Sequence, residues 1–254
     1  MIQQMLEFFV KFFSNPSPLG WGLAIVFGAI WLACYRPPLI TKPWLWAVFA
    51  AGAILGAPIA IAVAAFPLRF GISWVYGYFW SRETIANWAL LASLPSMYLF
   101  GLVQEGFKLV PVVVYWWRKG RSIEPKLGLA AGAASGAGFG ILKAQWTLNS
   151  VLASGWSWRM VQLLGVKALA PFWESFFVLG VDVAACALAG WGLAKGWGWQ
   201  FYLIAAFIFV LLNYGTVLVS SGLISAVQAE FLIAAWAFLV TGIALWLGAR
   251  KVKA

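Results

Sequence analysis

Long apolar runs divide this chain of 254 residues and limit what it can fold into. Six runs are clear: 19–35, 44–66, 127–150, 168–194, 200–222 and 227–248. A helix needs about 20 mainly apolar residues to cross the ~30 Å hydrocarbon core of a bilayer, so each run predicts a transmembrane helix. Only 9% of the residues are charged, against roughly 25% in soluble domains. We therefore predict an all-α fold, a polytopic integral membrane helical bundle that forms one domain over residues 1–254.

A seventh apolar region, residues 84–117, allows two interpretations. As one helix its 34 residues would reach roughly 50 Å, which is long for one crossing. It is either one span with an interfacial lead-in kinked near Pro95, or a tight pair of spans.

The positive charges of the loops favour one span, because ten of them then share one side of the bundle. These are Arg36, Lys42, Arg118, Lys119, Arg121, Lys126, Lys195, Arg250, Lys251 and Lys253. By the positive-inside rule we predict about seven transmembrane helices in the plasma membrane, with the N-terminus outside and the C-terminus in the cytoplasm.

Two segments outside the spans are predicted to lie at the membrane surface. Residues 1–15 place Gln4, Glu7 and Lys11 on one helix face and apolar residues opposite, which predicts an interfacial amphipathic helix. The loop 67–83 is rich in aromatic residues, which suit the headgroup layer.

The net charge of +10 does not indicate a nucleic-acid partner. The positive residues lie in short loops between spans, where they set topology and contact anionic lipid. We predict the lipid bilayer and other membrane proteins as partners, and no nucleic acid. Cys34 and Cys186 are interpreted as small buried apolar side chains.

Five ionisable residues fall within predicted spans: Glu105, Lys108, Lys143, Glu174 and Asp182. Each charge at the centre of a membrane helix costs about 2.5–3.5 kcal/mol, so such groups are paired, neutralised or in contact with water. Glu105 and Lys108 share a helix face at i, i+3. Lys143 is free to meet Glu174 or Asp182, or Glu105, from another helix. We predict structural ion pairs among these five residues.

Small residues line one face of the helix that carries Lys143. Gly128, Gly132, Gly136 and Gly140 recur every four residues, and Lys143 lies on the same face. Such a face lets another helix approach closely. Prolines at 95, 111 and 171 lie near the charged positions, and each removes a backbone donor. Together these features predict a polar, irregular centre within the bundle.

Four short segments resemble, in their order, those of PrsW-type intramembrane proteases. They are QEGFK at 104–108, GFGILK at 138–143, PFWE at 171–174 and LLNY at 211–214. Residues 84–220 therefore resemble the PrsW-type proteases and, more distantly, the CAAX-prenyl-protease-like (CPBP) and YhfC groups. The resemblance implies a protease-like core in which a glutamate activates water.

The same segments depart from the family pattern at the positions that the resemblance makes catalytic. Gln104 replaces the leading glutamate of the first motif, and Lys143 stands where the family has Glu or His. Glu174 and Asn213 replace its two histidines. With no His in the chain, no imidazole can bind a metal, and we predict no metal and no cofactor.

Three functions remain open at this point. The pattern favours a degenerate homologue, a pseudoenzyme that acts as an accessory or scaffold subunit. An active intramembrane peptidase would use Glu105 as general base, with Glu174 and Asn213 in its site and Gln104 or Asn213 orienting the carbonyl. A proton-coupled or small-solute transporter would use the buried acid–base pairs, and a lipid- or quinone-binding role is the last alternative.

Overall fold

Helices form nearly all of the structure, a computed structural model that describes residues 7, 10, 16–63 and 67–250. Within these residues there are α-helices and no β-strand. We label them α1 (Pro18–Tyr35), α2 (Trp44–Val63), α3 (Arg69–Phe79), α4 (Arg82–Asn87), α5 (Ala89–Arg118), α6 (Pro125–Ala153), α7 (Trp158–Leu164), α8 (Ala170–Ala194), α9 (Gly198–Ser220) and α10 (Ala226–Ala249).

Seven helical segments of the described residues are long and apolar enough to cross a membrane. They are α1, α2, α5, α6, the segment formed by α7 and α8, α9 and α10. The prediction of an all-α polytopic bundle is confirmed, and the chain is a multi-pass membrane protein. Of the predicted N-terminal helix at 1–15, only Glu7 and Val10 belong to the described residues, so that prediction lies outside them.

The ambiguous region 84–117 is one span, and the helix break that precedes this span does not lie at Pro95. Both Pro95 and Pro111 lie inside the continuous helix α5. The break comes earlier, at Trp88, which ends the short helix α4 with φ −106° and ψ 21°. The Ser81 hydroxyl caps α4 by accepting the Thr84 N–H at 3.1 Å, so α4 begins and ends as a separate turn of helix.

Helices α6 and α8 form the centre of the bundle. In the most apolar stretch of α6, 89% of the residues are buried inside the bundle, and the share is the same for the α7–α8 segment. In the other spans the buried share is 28–47%. Helices α1 and α2 pack on α6, α9 and α10 pack on α8, and α5 contacts α6, α8 and α9. Charged residues on α6 and α8 are therefore remote from lipid wherever they face a neighbouring helix.

The glycine face of α6 is packed against α8, and the two helices run antiparallel. A Cβ at Gly128 would overlap the carbonyl of Gly190, and a Cβ at Gly140 would lie 2.9 Å from Leu179. Between them, a Cβ at Gly136 would lie 2.6 Å from the carbonyl oxygen of Asp182. Glycine therefore brings α6 into backbone contact with α8 over the stretch that carries Asp182.

A π-helical turn at Gly52–Gly56 interrupts α2 where it meets α6. A Cβ at Gly52 would overlap the carbonyl of Ser135, and a Cβ at Gly138 would overlap that of Phe49. The contact is thus close from both sides. Helix α6 has small residues toward two neighbours at once, which is why it occupies the centre.

Candidate functional site

Glu105 and Lys108 lie on the buried side of α5, one helical turn apart. Their side chains are 3% and 0% exposed. The Lys108 ammonium donates a hydrogen bond to Glu105 Oε1 and a second, of 2.8 Å, to Asp182 Oδ1 on α8. One buried cation is therefore shared between two carboxylates from different helices.

Asp182 connects this pair to a second lysine. Its other oxygen, Oδ2, accepts a hydrogen bond of 3.1 Å from Lys143 Nζ on α6. Asp182 is 2% exposed and Lys143 is 21% exposed. The four side chains form a row, Glu105–Lys108–Asp182–Lys143, which we call the ion-pair cluster. With two acids and two bases it carries no net charge when all four are ionised.

An aromatic side chain lies beside both lysines of the cluster. Lys108 Nζ lies 5.0 Å from the ring centroid of Phe139, and Lys143 Nζ lies 5.9 Å from the same centroid. Phe139 is fully buried. The face of an aromatic ring attracts a cation, more strongly where water is excluded, so Phe139 adds to the stabilisation of both ammonium groups.

The backbone around Lys108 is held by side chains of two other helices. Pro111 removes the N–H that would bond to Phe107 O, and the next carbonyl, Lys108 O, accepts a 2.6 Å hydrogen bond from the Ser135 hydroxyl. The Cys186 thiol lies 3.6 Å from the same oxygen. In lipid, a helix loosened by proline needs such partners for its backbone groups.

A similar arrangement surrounds Pro95, which lies sixteen residues before Pro111 on α5. There the carbonyl three residues earlier, Ala92 O, accepts a 2.7 Å hydrogen bond from Tyr76. Lys108 likewise precedes Pro111 by three residues. In both cases a hydroxyl from another helix supplies a donor beside the proline.

Glu174 does not join the ion-pair cluster. It lies on α8 eight residues before Asp182, about 12 Å along the helix axis. Its side chain is exposed, and the ion pairs among the described residues do not include it. Of the two partners considered for Lys143 on α8, the structure brings Asp182 to it and leaves Glu174 apart.

Glu174 instead lines a cavity of about 100 Å³ next to the cluster. Lys143, Asp182 and Asn213 also line this cavity, whereas Glu105 and Lys108 do not. We call this cavity the polar cavity, and it is large enough for several water molecules. At its wall, the Asn213 amide donates a 2.8 Å hydrogen bond to Phe209 O of its own helix.

No protein-family model, curated protein or solved structure matches this chain. The resemblance to PrsW-type proteases therefore stays a prediction.

The residues proposed for catalysis are divided between two environments. Glu105 is in the closed cluster, where its second oxygen, Oε2, is buried with no hydrogen-bond partner. Glu174 and Asn213 are at the polar cavity. Among the described residues, no three Cys, Asp or Glu side chains are close enough to hold a metal ion together.

Three members of the site's surroundings were not predicted from the sequence: Ser135, Phe139 and Cys186. Ser135 and Phe139 precede Lys143 by eight and four residues, and Cys186 follows Asp182 by four. These spacings put them near the charged face of the helix. The spacing alone does not assign these three residues to the site, because many Ser, Phe and Cys side chains in membrane helices serve only to pack against neighbouring helices.

Proposed function

We propose that this protein is a non-catalytic multi-pass membrane protein that acts as a scaffold or accessory subunit for other membrane proteins. The observation that carries the proposal is the ion-pair cluster, in which every charge has an opposite charge as its direct partner and three of the four side chains are 0–3% exposed. A closed, neutral arrangement of this kind fixes the positions of α5, α6 and α8 relative to each other.

The geometry around Glu105 supports this function over that of a peptidase. A general base must be within hydrogen-bond reach of the proton that it removes, directly or through one water. Glu105 is bonded to Lys108 and is not among the residues that line the polar cavity. Lys143 stands at the wall of that cavity with its ammonium on Asp182, where a protease of the resembled type has an acid or a histidine.

The same proposal includes the plasma membrane, with the C-terminus in the cytoplasm. It is supported by the loops after α1, α5 and α8, which lie at one end of the bundle and, with the helix ends beside them, carry more positive residues than the loops of the opposite end. The first group is Arg36, Lys42, Arg118, Lys119, Arg121, Lys126 and Lys195, and the second is Arg69, Arg82, Arg159 and Lys167. A fluorescent protein fused to the C-terminus is expected to fold and fluoresce, and alkaline phosphatase fused there is expected to be inactive. An active phosphatase fusion would reverse the orientation.

Complementation of a deletion tests whether the chemistry of Glu105 is needed. In the double variant E105Q/K108M the site loses one acid and one base, so the remaining pair of Asp182 and Lys143 is still neutral. If the protein is a scaffold, this variant restores the growth and membrane-protein composition of a deletion strain as the parent does.

A peptidase predicts the opposite result, because the variant folds but has lost its base. Failure of E105Q/K108M to complement, with normal amounts of folded protein in the membrane, would overturn the scaffold proposal. The matched control is S96A, which changes a polar side chain of α5 whose hydroxyl bonds Ser93 O of its own helix and which does not line the polar cavity.

A second function, transport of protons or a small solute, is favoured by the polar cavity. From exposed Glu174 the cavity leads to Lys143 and Asp182, and from there ionisable groups continue to Glu105. Liposomes that contain the protein and a pH-sensitive dye would reveal such a path as proton uptake driven by a potential. The uptake should fall in E174Q, which leaves the cluster intact. Equal uptake with and without protein would eliminate this function.

A further inference from the structure

A second cavity, larger than the polar cavity, lies at the end of the bundle where the positive loops are. Its volume is about 660 Å³, and it is bounded by the end of α1, the loop to α2, the start of α6 and the end of α10. We call it the basic cavity. It is separate from the ion-pair cluster, since no residue of the cluster lines it.

Three cations line the basic cavity without forming an ion pair. They are Arg36, Lys42 and Lys126, and the salt bridges among the described residues involve none of them. One acid, Glu124, also lines the cavity, so the four charges sum to +2. Unlike the cluster in the bundle centre, this group of charges is not neutralised by the protein itself.

The backbone adds further positive potential at the same place. Helix α6 begins at Pro125, and its N-cap Glu124 makes no side-chain capping bond. The N–H groups of Lys126 and Leu127 in the first turn have no partner within the helix, and both residues line the cavity. The positive end of a long helix dipole therefore adds to the three cationic side chains.

Part of the remaining wall of the basic cavity is formed by leucine side chains. Leu127 and Leu129 of α6 and Leu245 of α10 line it, and the side chain of Leu245 is exposed on the outside of the bundle. A ligand that fits both parts has a negatively charged phosphate next to hydrocarbon.

We propose that the basic cavity binds the phosphate of an anionic phospholipid headgroup, with the acyl chains along the leucine wall. Arg36 provides a planar guanidinium that can bond two phosphate oxygens, and Lys42 and Lys126 provide single ammonium groups. Basic pockets between membrane helices on the cytoplasmic side are suited to such headgroups. A soluble phosphate ester shares the chemistry, but the leucine wall gives it no additional contact.

Binding of defined lipids to the delipidated full-length protein in detergent tests the proposal. The measured quantity is the rise of the thermal unfolding temperature with added phosphatidylglycerol, compared with phosphatidylcholine. In a parallel arm, inorganic phosphate and glycerol 3-phosphate replace the lipid. We expect phosphatidylglycerol to stabilise the protein at the lowest concentration.

Matched triple variants separate a site from general surface charge. A Lys or Arg beside an anionic headgroup contributes about fivefold in affinity. Arg36, Lys42 and Lys126 line the proposed phosphate site, so R36A/K42A/K126A should weaken phosphatidylglycerol binding by about tenfold or more. R118A/K119A/R121A removes the same charge from the same end of the bundle, at exposed residues that do not line the cavity. This control should change binding little, and E124Q should strengthen it.

Each outcome of these measurements bears on the proposal. Equal losses in the two triple variants, or equal effects of the two lipids and none of the phosphates, would overturn it. Stabilisation by glycerol 3-phosphate that matches phosphatidylglycerol would overturn the phospholipid as the ligand, because the acyl chains would then contribute nothing to binding. If the first triple variant fails to fold, K126A alone decides the matter, because that side chain is exposed and its removal leaves the helix contacts in place.

Discussion

Removal of the Lys108 ammonium should damage the ion-pair cluster more than removal of the Lys143 ammonium. Lys108 is fully buried and bonds Glu105 and Asp182, so K108M leaves Glu105 with no cation and gives the cluster a net charge of −1. Loss of one partner from a buried ion pair costs about 3–5 kcal/mol. The folding equilibrium constant should therefore fall by roughly 100- to 4,000-fold.

Lys143 provides the matched comparison, because K143M makes the same chemical change in the same cluster. Its side chain is 21% exposed, and it forms one ion pair. After its removal, Asp182 still has Lys108. A hydrogen bond to a charged group contributes about 1.5–3 kcal/mol, and partial exposure lowers this, so we expect a cost of about 1–2 kcal/mol.

The double variant E105Q/K108M distinguishes charge balance from packing. It removes the same ammonium as K108M but leaves no unpaired carboxylate, because Asp182 keeps Lys143. Replacement of a buried ion pair by neutral groups of similar volume is often close to neutral. We therefore expect the double variant to recover at least half of the stability lost in K108M.

Equilibrium unfolding of the purified variants in mixed micelles, followed by far-UV circular dichroism as the fraction of dodecyl sulfate rises, measures these differences. We expect K108M to be the least stable, K143M to be intermediate and the parent to be the most stable, with E105Q/K108M more stable than K108M. If K143M costs as much as K108M, or if the double variant is no better than K108M, the ion pairs are not what stabilises the bundle.

Three further changes have expected results in the same assay. G132A should destabilise the bundle strongly because its Cβ would overlap a carbonyl of α8, whereas G242A has nothing within 4 Å and should be neutral or, by helix propensity, slightly stabilising. S135A removes a 2.6 Å hydrogen bond to Lys108 O and should cost about 1 kcal/mol; no loss would mean that this carbonyl needs no second donor. E174Q should leave stability unchanged because Glu174 is exposed and outside the ion pairs; a loss above about 1 kcal/mol would contradict its separation from the cluster.

The spans were predictable from the sequence because their signal is local. Each needs only a long apolar run, and a run such as 200–222 agrees closely with α9, Gly198–Ser220. The break at Trp88 was not predictable in the same way. Proline is the usual cause of a kink, so the sequence favours a break near Pro95 instead. The actual boundary depends on the separate capping of α4 by Ser81.

The membership of the cluster was predictable in part, for a related reason. The pair of Glu105 and Lys108 follows from their spacing on one helix. Whether Lys143 meets Glu174 or Asp182 depends on how far α8 is shifted along α6, since both acids lie on α8 two helical turns apart. Sequence spacing within one helix carries no information about the offset between two helices.

Glycine sets how closely α6 and α8 approach each other, and this connects the packing of the bundle to its charges. Asp182 has a short side chain, yet it reaches lysines on α5 and α6 at 2.8 and 3.1 Å. This requires α8 to lie closer to α6 than ordinary side chains permit, as small residues in membrane helices allow. Gly136 provides that approach at the level of Asp182 itself, since an added Cβ would lie 2.6 Å from Asp182 O. A methyl group there would push Asp182 away from Lys143, so G136A acts on the ion pairs although it changes no charge. Close packing of α6 and α8 brings the opposite charges together, and the paired charges in turn hold the two helices in contact. The glycine face and the ion-pair cluster therefore depend on each other.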